Sequence, residues 1–255
     1  MGRYERLLYR HCAGFIGWTP YLSGMAMQMG AQRAITIEGS ADLERFRPLP
    51  AKARLDARAR LGIPSHHLVC GVAGTLSWNA RQRYSYGLEL VEVMRYLRRE
   101  DVSMLIVGDG NGRDLLEKRT PASVRDRVRF TGRLSGVDLI HAMNAMDIGF
   151  ITQTLDGLGR YRLTTKLPEY LACGLPVAMS PIPGFYDYAL DAGWALPAKH
   201  PASTDFHRTC AAWLDTLTHE EVAVKAAFAR PLAEQRFDYR MLGKRFARFV
   251  VDLLA

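Results

Sequence analysis

Between positions 67 and 197, short apolar runs rich in β-branched residues alternate with segments in which apolar residues recur at helical spacing. One such helical stripe runs through Leu90, Met94 and Leu97. This alternation is typical of β-α-β units, which build a parallel sheet covered by helices on both faces. The pattern therefore predicts an α/β protein. The predicted strands cover residues 68–73, 102–107, 128–131, 147–152, 175–179 and 194–196.

The pattern changes on either side of this region. Residues 1–45 contain two strand-like runs and two helical stretches, which amount to one or two β-α units. One or two such units cannot form a closed sheet of their own. They must therefore pack on the main domain, on a second copy of the chain or on sequence that is absent here. Residues 46–64, rich in Pro and Arg, are predicted to be a linker, and residues 65–235 to be the main domain. Residues 236–255 predict a helix that either wraps the sheet or crosses to the N-terminal part.

The composition is that of a folded protein. The chain has 255 residues, of which 48% are hydrophobic, and this excludes a disordered tail or a disulfide-rich mini-protein. No apolar stretch reaches the roughly 18 residues of a membrane-spanning helix, and the first residues lack an apolar signal core. We therefore expect a soluble, cytoplasmic protein. Four scattered cysteines, without a C-x-x-C pair, are predicted to be reduced thiols: Cys12, Cys70, Cys173 and Cys210.

The chain is basic, with 34 Lys and Arg against 26 Asp and Glu, a net charge of +8. Such an excess suits nucleic acid, an anionic membrane surface or an anionic small molecule. The basic residues concentrate in the predicted linker and near the C-terminus, where solvated helix faces also explain them. Aromatic and basic residues are not interleaved, and no zinc-finger or helix-turn-helix pattern occurs. Nucleic acid is therefore a disfavoured partner.

Glycines mark the ends of the first three predicted strands of the main domain, in the runs 71–75, 108–113 and 132–134. Open parallel sheets bind ligands outside the carboxyl ends of their strands, and glycine lets the backbone approach a ligand closely. Tight turns alone also explain these glycines. The second run fails the dinucleotide fingerprint G-x-G-x-x-G because Arg113 occupies the place of the last glycine, which disfavours an NAD-dependent oxidoreductase.

The densest polar cluster covers residues 156–169, where a loop rich in Gly and Arg leads into a helix. The free N–H groups at a helix N-terminus suit a phosphate. Thr164 or Thr165 can cap this helix, and Lys166 in its first turn opposes the helix dipole unless an anion is bound. Glu169 either accepts hydrogen bonds from two neighbouring sugar hydroxyls or stabilises its own helix.

Other catalytic patterns are not found in the sequence. There is no G-x-S-x-G elbow, no H-E-x-x-H pair and no G-x-x-x-x-G-K-[ST] phosphate loop. The seven histidines show no ligand spacing. No metal and no cofactor are predicted, and the ligand expected from these residues is an anionic substrate.

Four blocks of the sequence resemble the C-terminal domain of retaining GT-B glycosyltransferases of group 1, a family 4-like class. They are MLIVGDGNGR at 104–113, RVRFTGRL at 127–134, NAMDIGF at 144–150 and KLPEYLACGLPV at 166–177. A further segment, DLERFRP at 42–48, is similar to the family's interdomain connector. Each block alone is a weak signal, but their order and spacing match over residues 60–190. The resemblance implies a Rossmann-like parallel sheet, the C-terminal half of a GT-B fold, and a remnant of the N-terminal domain.

The resemblance also implies an activity. In this family the C-terminal domain binds a nucleotide-sugar as substrate, and a preceding Rossmann-like domain binds the acceptor. The implied reaction transfers the sugar, with retained configuration, to a hydroxyl of a glycan, a lipid-linked molecule or a small molecule. Most of the acceptor half has no counterpart here. The chain is therefore expected to be the donor-binding half, completed by an N-terminal half or second chain, or else a non-catalytic partner subunit of a split enzyme.

The resemblance assigns roles to individual residues. Glu169 matches the second Glu of the family's Glu-x(7)-Glu motif and is expected to hold the ribose, while Lys166 neutralises the diphosphate; these two are the predicted catalytic residues. Backbone amides of 163–165 are expected to contact the diphosphate. The predicted nucleotide-binding residues are Gly74, Thr75, Arg83, Gly108, Arg133, Leu134, Leu163, Thr164, Thr165, Lys166 and Glu169.

The sequence departs from the family pattern at three positions. The first Glu of the motif falls on Tyr161, and the family's basic pair falls on Thr75 and Tyr86. Arg81, Arg83 and Lys166 are the candidates to replace the missing charge, and the block KLPEY favours Lys166. Because many relatives use lipid-linked acceptors, the basic C-terminal helix is also expected to contact an anionic membrane surface.

Overall fold

The computed structural model describes residues 3–81, 83–157 and 159–254, without the side chain of Arg3. The strands are β1 Phe15–Gly17, β2 Ala34–Thr36, β3 Leu68–Ala73, β4 Val102–Val107, β5 Val128–Gly132, β6 Ile148–Ile151, β7 Val177–Met179 and β8 Gly193–Ala195. The α-helices are α1 Arg3–His11, α2 Pro20–Gln28, α3 Ala51–Arg60, α4 Leu88–Val93, α5 Arg113–Arg119, α6 Gly136–Ala145, α7 Lys166–Ala172, α8 Pro183–Tyr188, α9 Thr204–Thr216, α10 His219–Arg236 and α11 Tyr239–Leu254. A 3-10 helix covers Ala122–Arg127.

The main sheet has six parallel strands in the order β5-β4-β3-β6-β7-β8. After β5 the chain crosses to the other side of β3, so the strand order reverses between β3 and β6. A crevice at such a reversal is where open α/β sheets bind ligands. The predicted parallel α/β fold is confirmed. β7 begins later than predicted, at Val177, because Pro176 has no N–H to donate to the ladder and contributes only its carbonyl, to Gly149 N at 2.9 Å.

The sheet is buried on both faces. Along β4, Leu105 and Val107 belong to one apolar cluster, whereas Met104 and Ile106 belong to a second. This period of two places one core layer on each side of the sheet. The first layer is closed by α3, α6, α7 and α10, and the second by α4 and α9.

The segment predicted as a linker, residues 46–64, contains the ten-residue helix α3. This helix buries Ala57 and the charged side chain of Arg58. The Arg58 guanidinium donates to Asp147 at 2.6 Å and to the carbonyls of Ala145 and His67. Because α3 buries an arginine rather than an apolar stripe, hydrophobic periodicity gave no signal for it.

The first unit forms a separate two-stranded parallel sheet, with β1 and β2 in register from Phe15↔Ala34 to Gly17↔Thr36. Helix α2 packs on both strands. Helix α11 also lies against this unit, since Arg245 donates to the Thr36 carbonyl at 2.8 Å. No strand among the described residues pairs with the outer edge of β1. Nor is any described helix long and apolar enough to cross a membrane.

Asn144 connects the segment before α3 to the main domain, and its replacement by alanine should destabilise the fold by about 1–3 kcal/mol. Its Oδ1 accepts from Leu49 N at 2.8 Å, and its Nδ2 donates to the carbonyls of Arg47 and Ile140. The variant deprives the Leu49 N–H and the Arg47 carbonyl of these bonds, in a region where Asn144 is only 6% exposed. Urea unfolding measures the loss. The exposed Gln235→Ala variant, on α10, should stay within about 0.5 kcal/mol of wild type, and equal stability of both variants would contradict the assignment.

Candidate functional site

The carboxyl ends of three neighbouring strands meet through glycines. Gly74 N donates to Val107 O, and Gly108 N donates to Gly132 O, both at 2.9 Å. A Cβ on Gly108 would lie 1.8 Å from the Gly74 carbonyl oxygen, and its φ is +144°. Only glycine fits there. The close approach of these strand ends leaves backbone, rather than side chains, as the floor of the crevice.

A cavity of about 720 Å³ opens above these strand ends. Helix α6 contributes Leu139 and Met143, which are not among the predicted site residues. Asp109 and Gly110, also on its wall, come from the second glycine run. Most of the predicted nucleotide-binding residues line this cavity, namely Gly74, Thr75, Gly108, Arg133, Leu134, Thr165, Lys166 and Glu169.

Lys166, the first residue of α7, places its ammonium against the loop that follows β3. Its Nζ lies 3.7 Å from the centroid of the Tyr86 ring, a cation–π contact. A Cβ on Gly74 would lie 2.9 Å from the Lys166 Cε and 3.1 Å from its Nζ, so Gly74 makes room for the lysine. No described residue accepts a hydrogen bond from this ammonium. The Lys166 side chain therefore brings a positive charge to one of the positions, Tyr86, where the family's basic pair is missing.

The surroundings of Lys166 destabilise its charged form relative to that of a lysine in water. Burial, reinforced by the positive charge of Arg162, lowers the pKa of Lys166 to about 8. The carboxylates of Glu89 and Glu169 act in the opposite direction but do not restore the usual pKa. An anion bound beside the ammonium would stabilise its positive charge further and raise its pKa.

Glu169 lies one helical turn beyond Lys166 and lines the same cavity. Burial raises the pKa of the Glu169 carboxyl, while Lys166 and Arg45 lower it. Sequence reasoning missed Arg45 as a neighbour of this site. Its position in the DLERFRP segment was the available signal. Among the described residues, none donates a hydrogen bond to the Glu169 side chain, so its oxygens are available to a ligand.

The two threonines before α7 do not cap it with their side chains. Thr165 occupies the N-cap position in the αR conformation and makes no side-chain cap hydrogen bond. The buried Thr164 Oγ1 has no hydrogen-bond partner. The predicted capping is therefore wrong, because neither hydroxyl reaches a free amide of the first turn. Leu163 packs in the core, and neither it nor Thr164 is among the residues lining the cavity.

The remaining sequence candidates lie away from the cavity wall. Arg83 is exposed, with a φ of +52°, and like Arg81 it does not line the cavity. Tyr161 contacts the first unit of the chain, since its ring centroid is 5.5 Å from that of Tyr21. Its carbonyl accepts from Thr19 Oγ1 at 3.5 Å. Of the candidates to replace the missing charge, the structure brings only Lys166 to the cavity.

A buried polar network behind the site was not predicted. Glu89 is fully buried, and its carboxylate accepts from Tyr84 Oη at 2.9 Å and from Thr152 Oγ1 at 2.8 Å. Burial raises the pKa of Glu89, and hydrogen bonds from its neighbours oppose that shift. This network joins the loop after β3 to the end of β6. The only sequence signal was a glutamate inside the apolar run of α4, between Leu88 and Leu90.

The six-stranded parallel sheet, with helices on both faces and a polar cavity at its switch point, is that of the C-terminal Rossmann-like half of a GT-B glycosyltransferase. The family model "Glycosyl transferases group 1" matches residues 68–214, more than half of the chain. The chain therefore belongs to the group 1 glycosyltransferases. The predicted group 1 glycosyltransferase family is confirmed, and the retaining mechanism stays a prediction. No curated protein matches the sequence.

Solved structures with the same fold share little sequence with this chain. Anabaena HepE, in complex with UDP and glucose, is 20% identical over 98% of this chain and 66% of its own, with a TM-score of 0.76. Sucrose-phosphate synthase from Thermosynechococcus elongatus is 17% identical over 98% of this chain and 60% of its own, with a TM-score of 0.72. The C-terminal domain of LpcC from Francisella tularensis is 18% identical over 78% of this chain and 99% of its own, with a TM-score of 0.58. The chain thus spans slightly less than two thirds of HepE.

Proposed function

We propose that this chain is the donor-binding part of a glycosyltransferase, which transfers a sugar from a nucleotide-sugar to a hydroxyl group. One observation supports this most directly. Lys166 and Glu169, a cation and a carboxylate one helical turn apart, line the same cavity without a hydrogen bond from either to another described residue. A ligand that carries both an anionic group and neighbouring hydroxyls matches this pair.

The residues that line the cavity suggest which part of such a ligand each of them would hold. Lys166, Gly74 and the backbone of Thr165, which line the cavity, would hold the diphosphate. Glu169 would accept hydrogen bonds from the two ribose hydroxyls. Arg133 and Leu134, which follow β5 and line the same cavity, would flank the base. The complexes of HepE with UDP, with UDP and glucose and with UDP-glucose support a nucleotide-sugar as the ligand class.

The reaction would break the bond between the sugar C1 and the diphosphate oxygen and form a bond from C1 to the acceptor oxygen. The leaving diphosphate gains negative charge, which the Lys166 ammonium would stabilise in the transition state. The proton of the acceptor hydroxyl would pass to the leaving diphosphate. We propose retained configuration at C1, as the resemblance implies.

Calorimetric titration with UDP, GDP and ADP, and with their glucose conjugates, tests donor binding. Selective binding of one nucleotide would support the proposal and identify the base. Binding of none of them by the folded chain would contradict the proposal.

The affinity for a nucleoside diphosphate should be highest below pH 8 and fall above it. The free Lys166, with its pKa lowered to about 8, is protonated below that pH. A diphosphate beside the ammonium favours the charged form and raises its pKa, so binding above pH 8 must take up a proton. The affinity should then fall by up to about tenfold per pH unit. Calorimetry from pH 7 to 9.5 in buffers of different ionisation enthalpy measures this uptake. A Lys166→Met variant with the same pH profile as wild type would refute the assignment.

A second candidate function is a non-catalytic nucleotide-sugar-binding subunit, or one half of a split enzyme. The observation that favours it is Tyr161, which stands where the resemblance places an acidic contact to the sugar and which packs on Tyr21 instead. In addition, no strand in the part of the chain that the structure describes pairs with the outer edge of β1. Donor binding without sugar transfer, with transfer restored by a second chain, would support this function. Transfer by the purified chain alone would exclude it.

A further inference from the structure

A second cavity, of about 450 Å³, lies at the other end of the main sheet from the proposed nucleotide cavity. Its wall includes Met146 and Asp147, directly before β6, and Pro176, directly before β7. It therefore lies at the amino ends of these strands, where residues of α3, α6 and α10 enclose it. Its volume is within the range of roughly 300–1,000 Å³ that is usual for small-molecule sites.

Much of the wall of this second cavity is apolar. Among its apolar residues are Leu49, Met143, Met146, Leu175, Val222 and Ala226. Met143 also lines the nucleotide cavity, whereas Met146 does not. Because methionine side chains are flexible, they adapt their shape to a ligand. This part of the wall would bury the apolar body of a ligand.

The polar part of the wall belongs to two guanidinium groups that share one carboxylate. Asp147 accepts hydrogen bonds from Arg54 and, at 2.6 Å, from the buried Arg58. Burial lowers the pKa of Arg58, and so does the charge of Arg54, whereas Asp147 raises it. Arg230, which also lines the cavity, is paired with Glu234 at 2.7 Å. Two guanidinium groups and one carboxylate leave one positive charge in excess at this wall.

Arg54 presents this excess charge to the cavity. Its Nη2 donates to Asp147 and, at 3.1 Å, to the Met146 carbonyl. Its Nε and Nη1 donate to no residue that the structure describes. The Arg54 side chain is 40% exposed and lines the cavity. Guanidinium N–H groups without a protein acceptor match a carboxylate, which can accept from two of them at once.

We propose that this second cavity binds a small organic carboxylate, with its charged group on Arg54 and its apolar body between α6 and α10. A neutral apolar molecule would not compensate the excess charge. A small inorganic anion would not cover the apolar wall. A carboxylate with an apolar body does both. The site is separate from the nucleotide cavity and does not depend on the proposed donor function.

Octanoate is the probe, and two comparison molecules separate its charge from its apolar chain. Octanamide keeps the chain without the charge, and acetate keeps the charge with almost no apolar body. We expect the full chain to bind octanoate, and to bind each comparison molecule at least about tenfold more weakly. Calorimetric titrations with and without UDP measure these affinities.

Replacing Arg54 with methionine should weaken octanoate binding by about 10- to 100-fold, the range of a charge-assisted hydrogen bond. Octanamide binding should stay within about twofold. Arg58 still pairs with Asp147 in this variant, so the fold should persist, which thermal unfolding measures. Lys52→Met, which removes an exposed charge from the same helix, is the matched control and should bind octanoate like wild type.

A second variant, Ala226→Leu, fills part of the cavity from α10. It should weaken the binding of octanoate and of octanamide alike, by more than about fivefold. Ala227→Leu, at an exposed position of the same helix, is its control. The ε-methyl NMR signals of Met143 and Met146, assigned with Met→Leu variants, locate the probe. Octanoate should shift both signals.

Several results would overturn the inference. They are no binding of octanoate to wild type, equal binding of octanoate and octanamide, and octanoate binding that neither Arg54→Met nor Ala226→Leu changes. Competitive displacement of octanoate by UDP would also overturn it, because the probe would then lie in the nucleotide cavity. A chain that binds octanoate through Arg54 but binds no nucleotide would contradict the proposed donor function and keep the carboxylate site.

Discussion

Replacing Lys166 with methionine is expected to weaken binding of the selected nucleoside diphosphate by about 10- to 100-fold, the range of a charge-assisted hydrogen bond. Methionine preserves an unbranched apolar chain against Gly74 and Tyr86 but removes the ammonium. No described residue accepts a hydrogen bond from that ammonium, so the variant loses the hydrogen bond with the ligand and the cation–π contact with Tyr86. The corresponding nucleoside lacks the diphosphate, and its affinity should stay within about twofold. Calorimetry with the nucleoside and the diphosphate measures the two effects separately.

Two further variants control this experiment. Lys244→Met removes an exposed lysine on α11 and should bind both ligands like wild type. Lys166→Arg keeps the positive charge but has a larger side-chain head group. The space beside Gly74 is narrow, since even a Cβ on Gly74 would lie 3.1 Å from the Lys166 Nζ. We expect intermediate affinity from Lys166→Arg. Equal losses for nucleoside and diphosphate in Lys166→Met would show that the lysine supports the cavity rather than the diphosphate.

Replacing Glu169 with alanine is expected to weaken nucleotide binding by more than about tenfold, with little loss of stability. A carboxylate that accepts hydrogen bonds from both ribose hydroxyls contributes about 1.5–3 kcal/mol. The specific measurement uses deoxyribose ligands. Wild type should bind the 2′-deoxy or the 3′-deoxy nucleotide more weakly than the ribonucleotide, whereas Glu169→Ala should bind them alike. That loss of discrimination identifies the group that Glu169 contacts.

The alternative role of Glu169, stabilising its own helix, predicts a different outcome. Glu220 also lies in the first turn of a helix, α10, and is exposed. If Glu169 acts only on the helix dipole, Glu169→Ala and Glu220→Ala should both lose about 0.3–1 kcal/mol of stability and leave nucleotide binding unchanged. Thermal unfolding, measured alongside the titrations, separates the two roles.

The strands of the main sheet were predictable because their signal is local. β3 and β4 begin and end at the predicted residues, since a strand buried on both faces is a continuous apolar run bounded by polar positions. The approximate site was also predictable. Lys166 and Glu169 are three residues apart on one helix, and helical geometry alone places them on one face.

The neighbours of these residues were not predictable in the same way. Helix α3 escaped detection because it buries Arg58, whose counter-ion Asp147 lies 89 residues away in the chain. The contact between Lys166 and Tyr86 also joins residues that are far apart in the sequence. The network around Glu89 does the same, because it connects the loop after β3 to the end of β6. Hydrophobic periodicity is a property of a single segment, so it cannot show which distant segments come into contact.

The sequence by itself determined the parallel α/β architecture, the family, and the helix on which the candidate site stands, because these depend on periodicity and on short motifs. Only the tertiary structure decided which of the candidate cations reaches the cavity. It placed Lys166 on Tyr86 and left Arg83 outside. It also brought Arg54, Met143 and Ala226 around a second cavity. The physical reason is that the order of the strands in the sheet decides which loops become neighbours. That order depends on packing between distant segments rather than on the residues of any one strand.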